Sequence, residues 1–185
     1  MHASHTGPPA IDTVVGHSYG STVLGGTATG GNDLAADNRI AVGSPGMLVD
    51  KAGDLNLPSK SQVYSMTARN DIIGLAADMT LGAEPFSEDF GAVRLWADPG
   101  PSWDPAGIIG DIAAHSSYWV QDNPGLANLE AIIAGRASRW ERVYFPEPAR
   151  QRRLLIRPSD IQIILGKVRP PSRRDSPSKT NSPVA

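Results

Sequence analysis

Five residues constrain this chain more than any others. Gly16-His17-Ser18-Tyr19-Gly20 follows the largely β-branched run Ile11-Asp12-Thr13-Val14-Val15 and precedes Ser21-Thr22-Val23-Leu24-Gly25-Gly26, a stretch of small and apolar residues. The order reads as strand, sharp turn, helix. In that context a G-x-S-x-G pattern sets a serine on a strained strand-to-helix turn with its hydroxyl lifted clear of the sheet, and the flanking glycines let backbone pass without a Cβ clash. The pentapeptide alone is a weak signal in a chain so rich in glycine and serine, so the flanks carry the inference. Ser18 is the candidate nucleophile.

A serine nucleophile needs a base, and histidine is the usual one because it titrates near neutral pH. The chain has four histidines. His2 and His5 lie in a polar N-terminal arm and His17 is inside the turn, which leaves His115, within Asp111-Ile112-Ala113-Ala114-His115-Ser116-Ser117-Tyr118-Trp119. The plainer alternative for His115 is a ring that caps or packs a loop.

Length and composition set outer limits. A chain of 185 residues with 40% hydrophobic content can bury one substantial core. Cysteine is absent, which excludes thiolate metal sites and disulfides and fits a reducing compartment. No apolar run is long enough to span a bilayer, and the first nine residues lack the basic and apolar segments of a secretion signal, so a cytoplasmic location is expected.

The net charge of −2 hides an asymmetry: acidic groups outnumber basic ones up to Glu147, and basic groups dominate from Pro148 onward, where proline and serine also become frequent. The chain therefore divides into an arm (1–10), a folded region (11–147) and a basic Pro/Ser-rich tail (148–185) that reads as disordered. Basic tails can bind nucleic acid or anionic lipid, but this one has almost no aromatic residue for base stacking, so a solvated tail is expected and no nucleic-acid partner. Within it, Asp160-Ile161-Gln162-Ile163-Ile164-Leu165 could form a short strand or helical turn.

Between the ends, strand and helix signals alternate. Strands are expected at 11–15, 39–43, 62–68 and 92–96, a helix of small residues at 21–29, and a late amphipathic helix at 126–134 with Leu126, Leu129, Ile132 and Ile133 on its apolar face and Gly135 as its stop. Crossovers of ten or more residues imply an α/β fold with a mainly parallel sheet flanked by helices. Chemistry in such sheets gathers at the carboxyl ends of the strands, where Ser18, Asn70-Asp71 and His115 would meet.

The pentapeptide, then Val42-Gly43-Ser44-Pro45-Gly46, Ala68-Arg69-Asn70-Asp71, Phe90-Gly91-Ala92 and His115-Ser116-Ser117-Tyr118, closing with the helical stretch from Leu126 to Gly135, resembles the actinobacterial α/β-hydrolase family catalogued as a domain of unknown function, DUF1023. The likeness runs from about Ile11 to Gly135. It implies a serine hydrolase with Ser18 as nucleophile, Asp71 as acid and His115 as base, in the chain order of that fold. By residue type alone, Asp78, Asp98, Asp104 and Asp111 could also approach His115, and Asp71 could instead be a solvated turn carboxylate or a cap on a helix opening at Ile72. The backbone N–H of Tyr19, the residue after the nucleophile, is the expected oxyanion donor.

The same fold normally places strands and a second oxyanion donor ahead of the nucleophile strand. A truncated α/β-hydrolase domain, its C-terminal half, is therefore expected, with the strand at 11–15 as an exposed edge that could pair with another chain. Loss of one oxyanion donor costs roughly 10²–10³-fold in rate. Other chemistries fit less well. Gly25-Gly26-Thr27-Ala28-Thr29-Gly30-Gly31-Asn32 lacks the lysine of a phosphate loop and reads as a helix end and turn. Glu84, Glu88 and Asp89 show no metal-loop pattern, and neither a metal nor a cofactor is expected. The proline- and tryptophan-bearing segment 82–105 reads as a surface loop or a lid over a cleft. Two functional expectations follow: hydrolysis of a small-molecule ester or acyl substrate through an acyl-serine intermediate, or a non-catalytic fragment that associates through its strand edge or basic tail or has no activity.

Overall fold

A computed structural model of the chain describes residue 7 and residues 10–29, 34–75, 81–103 and 110–136. These fall within one compact unit, Met1–Arg152. The tail, Asp160 to Leu165, most of the N-terminal arm, Asp78 and Asp104 lie outside the described residues.

Four strands, β1 (Thr13–His17), β2 (Asn38–Val42), β3 (Gln62–Met66) and β4 (Val93–Arg94), form a sheet in the order β1-β2-β3-β4, every neighbouring pair parallel. Helices α1 (Tyr19–Thr29), α2 (Ile112–His115) and α3 (Pro124–Ile133) complete the framework. The class is the parallel α/β fold expected, with the four strands in the expected sequence. Among the described residues β1 pairs with β2 alone.

The element boundaries differ from those expected, for local reasons. Asp12 stands outside the ladder because its N–H donates to the Asp37 carboxylate at 2.8 Å and its carbonyl accepts from both Asp37 and Asn38. Regular pairing therefore begins at Thr13 and runs through His17, up to the turn. β2 stops at Val42 because Gly43 has φ +51°, outside the extended region. β4 has only two ladder residues, although Leu95 N–H still donates to Ser65 C=O at 2.7 Å.

Alternation along the strands feeds two apolar layers. Ile40, Val42 and Met66 pack with Tyr118 and with Leu129 and Ile132 of α3 on one face. Ala41 and Val63 pack with Leu24 and Ala28 of α1 on the other, joined by Met47, Leu55 and Phe90. Each large side chain so buried contributes about 1.5–3 kcal/mol, which outweighs the weak intrinsic preference of a glycine-rich α1 for helix. The small residues of α1 serve proximity: a Cβ on Gly25 would stand 2.0 Å from the Met47 carbonyl oxygen.

α3 opens two residues earlier than the pattern suggests, because Pro124 tolerates the first helical position and the Asn123 side chain accepts from Gly125 N–H at 2.8 Å. Gly135, at φ +66°, follows its end. Ile133, expected on the apolar face, is 56% exposed; Leu129 and Ile132 make the contact with the sheet. In segment 82–103 Pro85 and Phe90 are buried, which anchors this connection on the core. No helix among the described residues is long and apolar enough to cross a membrane.

Candidate catalytic site

Ser18 is the single residue between β1 and α1, and its φ is +55°. A non-glycine residue in that region is uncommon, and two bonds require it here. Its N–H extends the strand ladder to Val42 C=O at 2.9 Å, while its carbonyl already accepts from Ser21 N–H at 3.0 Å, so the chain passes from strand to helix within one residue. The Ser21 hydroxyl also donates to Ser18 C=O at 2.6 Å. Because that hydroxyl has one proton, the Ser44 hydroxyl 2.6 Å away is the donor in the Ser21–Ser44 bond, and Ser44 accepts in turn from Gly46 N–H. The outer face of the turn is thereby tied to the segment after β2.

The two glycines of the pentapeptide are not equivalent. A Cβ on Gly16 would stand 2.6 Å from Ser21 Cα, so the first turn of α1 packs onto β1 only if residue 16 is glycine. A Cβ on Gly20 would meet nothing within 4 Å, since Gly20 lies on the exposed side of α1; the expected steric need for glycine fails there. Tyr19 is the first residue of α1, and its N–H is among the amides with no acceptor inside the helix.

Asp71 and His115 are joined. The Asp71 side chain is fully buried, and His115 Nδ1 lies 2.8 Å from its Oδ1 and 3.0 Å from its Oδ2. Ile73 N–H donates to Oδ1 at 2.7 Å, and the Tyr118 hydroxyl donates to Oδ2. Asp71 is thus both the cap of the short 3₁₀ turn Ile72–Leu75 and the partner of the histidine, so two alternatives from the sequence hold together. Asp111 is not the partner: its carboxylate caps α2 by accepting from Ala113 N–H. Asp98 is exposed, and no bond joins it to His115 among the described residues.

His115 ends the four-residue helix α2, which follows β4 in the chain. The loops that carry acid and base are stitched together by an isolated parallel bridge between Asp71 and Asp111, with Asp111 N–H donating to Asn70 C=O at 2.7 Å. Since Nδ1 faces a carboxylate that only accepts, the neutral ring carries its proton there, leaving Nε2 free as a base.

His17 backs this ring. Its Nε2–H donates to the His115 carbonyl at 2.8 Å, and the two rings lie 4.7 Å apart at 31°. Trp119 meets the other side of His17 edge-on at 5.7 Å. Among the described residues no hydrogen bond joins the Ser18 hydroxyl to the His115 ring, but the two groups border the same backbone. Ser18 is bonded to Val42, and a Cβ on Gly43 would lie 3.1 Å from His115 Nδ1 and 2.8 Å from Asp71 Oδ2. Sequence reasoning missed Gly43, His17 and Tyr118 as parts of this assembly. A buried tyrosine in need of a hydroxyl partner was the one available signal.

Burial, and then the charge of Asp71, push the Tyr118 phenol far above the usual tyrosine range. The folded state therefore keeps a proton that the unfolded chain loses near pH 10. Stability should be intact below that pH and fall as pH rises through it, by about 1.4 kcal/mol per pH unit for each such group. Urea midpoints between pH 8 and 11 measure this. Tyr118→Phe should flatten the slope, with a remainder from Tyr64, which burial also raises.

No cluster of three or more His, Cys, Asp or Glu side chains suited to a metal occurs among the described residues. Residues 2–81 match the family model described as alpha/beta hydrolase. That span holds β1 to β3, the Ser18 turn and Asp71, and the match together with the all-parallel sheet supports an α/β-hydrolase fold and a hydrolase-type function. No curated protein and no solved structure matches the chain significantly.

Proposed function

We propose that this chain is a serine hydrolase that cleaves esters or related acyl compounds through an acyl-serine intermediate, without a cofactor. The observation that carries the reading is the Asp71–His115 hydrogen bond built beside a serine at positive φ. The finer resemblance to the DUF1023 family agrees with it.

In this reading His115 Nε2 takes the Ser18 hydroxyl proton as Oγ bonds to the substrate carbonyl carbon, and the carbonyl oxygen becomes an oxyanion facing the Tyr19 N–H at the start of α1. The bond to the leaving alcohol then breaks, with His115 returning the proton to it. Water then attacks the acyl-serine as the same nitrogen takes one of its protons, and His115 passes that proton to Ser18 Oγ as the acyl–oxygen bond breaks and the acid product departs with the water oxygen and its other hydrogen. Asp71 holds the Nδ1–H tautomer and stabilises the imidazolium. The missing Ser18–His115 hydrogen bond is compatible with this, because such bonds commonly tighten only when substrate is bound.

A fluorophosphonate probe should label the chain covalently, and Ser18→Ala should abolish the label while leaving the circular dichroism spectrum unchanged. Equal labelling of the Ser18→Ala protein would mean that the nucleophile lies elsewhere.

A further inference from the structure

The reaction just described gives no task to the buried hydroxyl of Tyr118, which touches the acid directly. Tyr118 has no exposed surface and packs in the cluster between the sheet and α3. Its oxygen accepts from Ala68 N–H at 2.9 Å, just beyond β3, and its hydroxyl donates to Asp71 Oδ2. The other carboxylate oxygen is held by Ile73 N–H. The two donors grip opposite oxygens, so the carboxylate cannot rotate about its Cβ–Cγ bond without breaking one of them. His115 Nδ1 sits 2.8 and 3.0 Å from the two oxygens, a shared arrangement that depends on the carboxylate plane as well as on its position.

We propose that Tyr118 is a positioning residue whose hydroxyl fixes the plane of the Asp71 carboxylate against His115 Nδ1, acting on the base through the acid and touching no substrate. This rests on the reading of Ser18, His115 and Asp71 as a triad. The phenol is suited to the task because its proton stays in place: burial and the adjacent carboxylate both oppose its loss. A structural hydroxyl would need only to accept from Ala68 N–H, and the bond to Asp71 Oδ2 is additional to that. The specific contribution is the hydroxyl.

The test reads the His115 Nδ1–H proton by NMR in the full chain, assigned by its loss in His115→Gln. The native protein should show a far-downfield, slowly exchanging resonance. In Tyr118→Phe that signal should move upfield or broaden away while the amide spectrum keeps its dispersion, and probe labelling of Ser18 should slow by roughly 10-fold, well short of the loss of about 10⁴-fold typical when the acid of a triad is altered. A folded Tyr118→Phe protein with an unmoved resonance overturns the proposal, as does a native chain without the resonance. If Tyr118→Phe does not fold, substitution of 3-fluorotyrosine decides the matter. It keeps the hydroxyl but changes its strength as a donor to Oδ2, so the resonance should shift from its native position, and an unmoved signal again overturns the proposal. The resonance does not depend on Ser18 reactivity, so failure of the triad reading would appear separately, as labelling that survives Ser18→Ala.

Discussion

His115→Ala should slow phosphonylation of Ser18 by about 10⁵-fold, and Asp71→Asn by about 10⁴-fold. The difference reflects what each group does. Without His115 no base stands beside the serine. With asparagine at 71 the ring remains, but the amide can present its N–H₂ where the carboxylate accepted from Nδ1, which favours the wrong tautomer. Tyr118 and Ile73 bias that choice, because both donate to residue 71 and both seek the single amide oxygen left. The double variant should react no more slowly than His115→Ala, since members of such a unit are not additive. Second-order labelling rates on the four proteins measure this. A fully additive double variant, or Asp71→Asn labelling at the native rate, would remove Asp71 from the reading.

Gly43→Ala should cost about 10²-fold in the same rate without any change to a residue that takes part in the chemistry. The added methyl would lie 2.8 Å from Asp71 Oδ2 and 3.1 Å from two atoms of the His115 ring. The ring is backed by His17 and the carboxylate is gripped from both sides, so neither can yield without losing their mutual bond. The backbone at φ +51° adds about 1–2 kcal/mol of destabilisation for any L side chain. Gly20→Ala is the matched control. Its methyl meets nothing within 4 Å and it lies in α1, where alanine is favoured over glycine by about 1 kcal/mol, so rate and stability should hold or rise. Labelling rates and thermal midpoints of both variants check the contrast, and a Gly43→Ala protein that labels at the native rate would show that the pair has room to move.

The parts legible in the sequence were those whose physics is local. The β-branched run before Ser18, the small residues after it and the alternation Ile40-Ala41-Val42 each report the backbone they adopt, and they gave the strand order and the two-sided core. Ser18 could be found because its strained turn needs its own neighbours. His115 could be found because the competing histidines were few. What stayed hidden depends on meetings across long separations. The Asp71–His115 bond, across 44 positions, is reachable only through the family resemblance, and the Tyr118–Asp71 bond, across 47, is not reachable at all, because no local periodicity predicts which of several carboxylates a ring will meet. From the sequence His17 is expected inside the turn, whereas its backbone is the last ladder residue of β1 and its side chain reaches His115. The residue lies in the pentapeptide, yet its ring bonds to and packs against His115, 98 positions away.

The strand order has a consequence for synthesis. Among the described residues each strand after the first adds beside the one made just before it, so a growing chain can extend this part of the sheet by one edge at a time. Ser18, Gly43, Asp71 and His115 appear in that same order. The turn that bears Ser18 can form before Asp71 has been made, whereas the contacts that hold the Asp71 carboxylate wait for His115 and Tyr118, which follow much later. A nascent chain assembled this way completes the Asp71–His115 contact only once its α2 segment has been delivered.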